Sequence, residues 1–265
     1  MNFVALLLTI FVGIFIFIGC IIGIKNKQNK KLTDFSISIA FGVIIGLILL
    51  EMIPHTYAAL SNQLSTFRSI LAIIILSLIG IVILKILDLF IPAHEHEAHH
   101  LHEHKNNICH NKHLKHIGIV SSIAIIIHNL IEGMSLYLVS THSITSGLLM
   151  CIGIGLHNIP MGLVISTTLI NSNYTKKKIL YINMLVALST FIGGLVMFIL
   201  GGVNELFEGI LLGFTLGMLI YISVFELFHQ IYHMENKKIA KLGIILGIII
   251  LIISVLLGHH FGHVH

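Results

Sequence analysis

Eight runs of about twenty apolar residues, joined mostly by short polar connections, limit what this chain can become. Crossing the hydrocarbon core of a bilayer as a helix takes roughly 20 apolar residues. Runs of that kind fall at 3–24, 34–58, 69–91, 117–140, 145–170, 179–200, 206–232 and 239–258. In lipid, every backbone N–H and C=O must find its partner inside the protein, so runs this long read as helices. The expected fold class is an all-α membrane protein of eight transmembrane helices, a single transmembrane domain over 1–265 with a long connection at about 92–116. Composition agrees: 10% of residues are charged and 56% hydrophobic, where a water-soluble domain carries about a quarter charged. Cys20, Cys109 and Cys151 show no CxxC spacing and read as small packing residues, with no disulfide framework.

Lysine placement gives the orientation, because cytoplasmic loops collect positive charge. The first, third, fifth and seventh connections hold Lys25, Lys27, Lys30, Lys31, Lys105, Lys112, Lys115, Lys176, Lys177, Lys178, Lys237, Lys238 and Lys241. The opposite side holds Arg68 alone, and Lys85 sits close enough to the end of the third helix to snorkel back to the lysine side. Odd connections are therefore expected in the cytoplasm and both termini outside, in a multi-pass protein of the cell membrane. The net charge of +4 comes from these short loops. It therefore says little about nucleic acid, and the expected partner is the lipid bilayer, with no nucleic acid.

Ionisable groups within a membrane cost about 2.5–3.5 kcal/mol each on insertion scales and usually mark function. Here they fall in four helices. The second carries Glu51 and His55, the fourth His128 and Glu132, the fifth His157, and the seventh Glu226 and His229. The concentration suggests that those four helices face one another. His128 and Glu132 are four residues apart, about 6 Å along one helix face, so an imidazole nitrogen and a carboxylate oxygen can reach one ion. Asn129 points about 100° away, toward a partner beside that site. The fifth helix repeats the His-Asn pair as His157 and Asn158, followed by Pro160 and Met161. A proline there removes one helical N–H and predicts a broken helix that leaves the Leu156 carbonyl free for water or a cation. One membrane histidine commonly serves as a hydrogen-bonding contact between helices; two His-Asn pairs with a glutamate are harder to explain that way. Glu51, His55, Glu226 and His229 are possible accessory or gate residues.

The 92–116 connection holds His94, His96, His99, His100, His102 and His104 among nine histidines, with Glu95, Glu97, Glu103 and Cys109. Neutral imidazoles ligate zinc and its neighbours, and the irregular spacing suits a flexible binder of several ions. His96, Glu97 and His100 form a formal HExxH, which a tract this rich in His and Glu produces by chance, so no protease is inferred. The tail carries His259, His260, His263 and His265, expected outside the cell, where they would capture metal.

These residues resemble the ZIP (Zrt-, Irt-like) family of divalent metal transporters, in its bacterial branch. The carriers of the resemblance are "HNLIEG" at 128–133 and "HNIPMG" at 157–162, on helices four and five, with the His-rich connection before them. It implies a bundle of eight helices built as a 3+2+3 inverted repeat, relating helix two to seven and four to five. It also implies that His128, Asn129, Glu132, His157, Asn158 and Met161 stand at the transported-metal site. Three positions depart from the family pattern: Ile131 replaces a proline, Met161 a glutamate, and Thr190 with Phe191 a Glu-Pro pair. A bridging carboxylate is thereby lost, and Met161 offers only a soft thioether.

The function expected is transport of a divalent cation toward the cytosol, zinc first with Fe2+ or Mn2+ possible, and no enzyme chemistry. The alternative is a transport-inactive protein that binds or senses metal through the His-rich tract. Glycine-rich faces such as 193–202 would permit a homodimer.

Overall fold

The structure, a computed structural model, describes residues 2–25, 30–90, 104–201 and 204–262, with side chains described outside 87–90, 104–113, 142 and 257–262. Among the described residues there are eight helices long and apolar enough to cross a membrane. They are α1 (Phe3–Lys25), α2 (Lys30–Ser61), α3 (Thr66–Phe90), α4 (His104–His142), α5 (Ile144–Asn171), α6 (Lys176–Leu200), α7 (Glu205–Tyr232) and α8 (Lys237–Gly262).

Local chemistry sets the ends. Ser143, Thr175 and Asn204 cap α5, α6 and α7 by accepting from the backbone N–H of Ser146, Lys178 and Phe207. Gly201 stops α6 in the left-handed region at φ 73, where a side chain would be strained. Each boundary lies within about one turn of the sequence expectation, with one exception. α4 starts at His104 and not at 117, so half of the expected polar connection is helical. No proline or glycine separates Ala93 from Ile117, and nothing in that stretch stops the helix from continuing.

The break expected at Pro160 is also corrected, because α5 runs unbroken from Ile144 to Asn171 with the proline inside it. Only one hydrogen bond is lost there, and close packing on α1 holds both flanks. A Cβ on Gly19 would stand 2.0 Å from the Ile159 carbonyl oxygen, and one on Gly162 would stand 2.2 Å from that of Ile16. Two other helices depart from regularity instead. α2 contains a π turn at Ile48–Met52 just before Pro54, and α7 contains one at Ile222–Leu227 with no proline.

Packing follows glycine. Reciprocal glycine contacts join α1 to α5 (Gly19, Gly162), α2 to α8 (Gly42, Gly247), α3 to α7 (Gly80, Gly217) and α4 to α6 (Gly133, Gly193). Such approaches are the main attraction between helices in lipid, where the hydrophobic effect is absent. Gly193 and Gly194 are used within the chain, against Leu130 and Thr9, so these glycines no longer argue for a second copy. The four helices that carry the ionisable groups are the most enclosed. Of their most apolar stretches, 67% (α2), 72% (α4), 67% (α5) and 67% (α7) is buried, against 22–44% for the others. Among these four, α4 packs on α5 and α7, and α2 packs on α5 and α7.

Candidate metal centre

The centre forms where α4 crosses α5. His128 and Glu132 lie one turn apart on α4, and His157 faces them from α5. Nε2 of His128 and Nε2 of His157 both stand 2.9 Å from the same oxygen, Glu132 Oε1. The His157 contact is a hydrogen bond; the His128 contact is equally close but not aligned as one. All three residues are buried, and Glu132 Oε2 has no hydrogen-bond partner. A buried carboxylate oxygen without a partner is costly, and a cation between the two rings would satisfy it. Among the described residues this is the one group of three such side chains whose ligand atoms gather, all within 4.8 Å of one another. Zinc held at about 2.0–2.2 Å by two imidazoles and a carboxylate needs its donors roughly 3.3 Å apart. The two imidazole–carboxylate separations of 2.9 Å therefore have to widen by only a few tenths of an ångström.

The other expected ligands have different surroundings. Asn129 donates from Nδ2 to the Val186 carbonyl on α6 at 3.3 Å, and its Oδ1 has no hydrogen-bond partner. Asn158 is fully buried and neither amide atom is hydrogen-bonded. Met161 is buried one turn beyond His157, within the apolar core. Thr190, in the α4–α6 seam beside Gly133, is buried with Oγ1 unpartnered. None of these four side chains adds charge to the cluster, while the Glu51 carboxylate of α2 lies close enough to act on His157 through its charge.

The accessory candidates split. Glu51 is half-buried in the π turn of α2, and His55 is exposed one turn later. Glu226 is buried in the π turn of α7, with Oε1 3.4 Å from Nε2 of buried His116. His229 is exposed and its ring lies tilted against that of His233, with centroids 4.5 Å apart. His116 closes the histidine tract in sequence but belongs to α4, about 18 Å along that helix from His128; the absence of a helix breaker before it is the signal. Ser254 of α8 also went unremarked. Its hydroxyl donates to the Gly153 carbonyl at 2.6 Å and lies 3.1 Å from His157 Nδ1. Of the tract residues, His94, His96, His99, His100 and His102 lie outside the described residues, as does the formal HExxH. His104 is the first residue of α4, with only its backbone described.

Comparison with known proteins gives a consistent picture. A family model described as ZIP Zinc transporter matches residues 92–255. The chain is similar to the Zinc transporter ZupT of Clostridium perfringens, 29% identical over 259 residues covering 91% of each chain. It is also similar to that of Chlorobium chlorochromatii, 28% identical over 233 residues, covering 84% of this chain and 85% of the relative. A third, from Campylobacter jejuni, is 27% identical over 257 residues, covering 85% and 86%.

Proposed function

The chain belongs to the ZIP family of zinc transporters, and on that premise we propose that its cargo crosses the membrane through His128, Glu132 and His157. The protein transports a divalent metal cation, with zinc the first candidate. Two imidazoles and one carboxylate suit zinc and also admit Fe2+ or Mn2+. The observation that carries the site is the convergence of both Nε2 atoms on Glu132 Oε1 at 2.9 Å. Metal sheds water to enter, and the proton of the His157–Glu132 hydrogen bond has to leave. That geometry supports an exchange of metal for proton. Rocking of helix bundles around the fixed site then opens the other side.

An inverted repeat is supported by the glycine contacts. Exchanging α1–α3 with α6–α8, and α4 with α5, turns the α1–α5 pair into α6–α4 and the α2–α8 pair into α7–α3. The same exchange relates the π turns that hold Glu51 and Glu226, which suit roles on the two approaches to the site. The lysine pattern supports termini outside, and the reading adds flux toward the cytosol through one transmembrane domain.

The test is flux into vesicles that hold a zinc-sensitive dye. The native protein transports zinc, Glu132→Ala loses more than about tenfold, since even indirect support of a ligand is worth about 10–100-fold, and deletion of 94–103 leaves transport in place. A second reading, a metal sensor that does not transport, is favoured by the uncharged Met161 and Thr190 beside the site. Zinc retained by the 94–103 tract in a protein with no flux would select it.

A further inference from the structure

We propose that Ser254 on α8 is a positioning residue that fixes the tautomer of His157, so that Nε2 is the nitrogen offered to the metal. The inference rests on the reading of His157 as a metal ligand and adds what decides which of its nitrogens binds.

A serine hydroxyl has one proton. In Ser254 that proton points at the Gly153 carbonyl oxygen, 2.6 Å away, since a carbonyl cannot donate. The same Oγ lies 3.1 Å from His157 Nδ1. With its proton committed, Oγ can only accept there, so Nδ1 carries a hydrogen. A neutral imidazole has one N–H, and the lone pair is then on Nε2, the nitrogen 2.9 Å from Glu132 Oε1. Metal-binding histidines generally donate their other N–H to an oxygen, which sets tautomer and ring angle together. Here the oxygen comes from a different helix.

Two further observations set Ser254 apart. Serines in membrane helices commonly return their proton to their own helix, as Ser122 does to Gly118 and Ser140 to Leu136. Ser254 reaches across to α5 instead. Gly153 lies one turn before His157 and lets α8 come close, since a Cβ there would stand 2.8 Å from the Ser254 carbonyl oxygen. Gly153 thus supplies both the space for the serine and the acceptor that orients it.

The experiment uses the full chain in lipid vesicles with zinc as the probe. Ser254→Ala raises the KM for zinc about tenfold or more while the maximal rate stays within about twofold, in line with the usual loss on removing an outer partner of a ligand. Ser254→Thr keeps the hydroxyl and restores the native KM. In 15N-histidine spectra of the zinc-loaded native protein, His157, identified by its loss in His157→Asn, shows a protonated Nδ1 and a metal-bound Nε2. An unchanged KM in Ser254→Ala, equal damage in Ser254→Thr, or a metal-bound Nδ1 in the native protein overturns the proposal. The spectrum needs no variant of Ser254, so a metal-bound Nδ1 overturns the proposal even if those variants do not fold. A His157→Ala protein with native zinc flux would instead remove the ligand reading, and this inference with it.

Discussion

At the residue scale, the question is what a single carboxylate does for a divalent cation in oil. Glu132 supplies one negative charge, while Asn129, Asn158, Met161 and Thr190 add none, so these side chains by themselves neutralise only half the charge of a bound zinc. Low dielectric magnifies that shortfall, which favours brief occupancy over storage. Met161→Glu places a second carboxylate one turn from His157 on the same face of α5. We expect the metal-free variant to melt at a lower temperature, because a buried charge is added. Zinc should then bind about tenfold tighter or more, a difference of about 1.4 kcal/mol, read as a larger zinc-dependent rise in Tm. Zinc flux should fall as release slows. This chemistry was largely legible in the sequence: the four-residue spacing exposed His128 with Glu132, and the repeated His-Asn exposed His157. Ser254 was not legible, because a serine within "ILIISVLLG" differs little from a packing residue until α8 is placed against α5.

At the element scale, apolar run length was enough to find eight helices, and the lack of a proline or glycine explains the early start of α4. The π turns had no such signal. A π turn inserts one residue without a composition of its own, and only Pro54 hints at the one in α2. The crossings were half legible: glycines were visible, but which helix each one met was not. The α4–α6 crossing beside Glu132 makes that concrete. A Cβ on Gly193 would lie 1.8 Å from the Leu130 carbonyl oxygen, and one on Gly133 would lie 1.9 Å from that of Thr190. Backbone cannot yield as a side chain can, so Gly193→Ala must push α6 off α4. Overpacking of this kind costs about 1–3 kcal/mol. We expect a lower Tm in detergent and weaker zinc flux. Leu188→Ala on the exposed face of α6 should change the Tm far less.

At the scale of the whole molecule, the connections sort themselves into two faces. Lys30 at the start of α2 pairs with Glu235 between α7 and α8 at 2.9 Å, and Lys115 and Lys178 both lie over the Tyr174 ring at 5.9 Å. Each of these contacts joins odd-numbered connections. On the other face, Asn62 donates to Glu205 at 3.0 Å, which joins the second connection to the sixth. Lys30 holds the Glu235 carboxyl below its ordinary range, but a pair this exposed adds little stability; its value is as a marker of which loops share a side. Geometry alone leaves the two faces equivalent, and the proposed assignment between them rests on the lysines. Two variants with one added exposed cysteine each test that assignment, made with Cys109 replaced by serine and with Cys20 and Cys151 kept, both of which are buried. Gln63→Cys, at an exposed position in the α2–α3 turn, should react with a membrane-impermeant thiol reagent in intact cells. Lys238→Cys, exposed at the start of α8, should react only after permeabilisation. The reverse pattern would turn the protein over and place the His-rich tract outside. It could then no longer receive metal on the cytosolic side, and flux toward the cytosol would have to be read as capture at that tract followed by passage through Glu132.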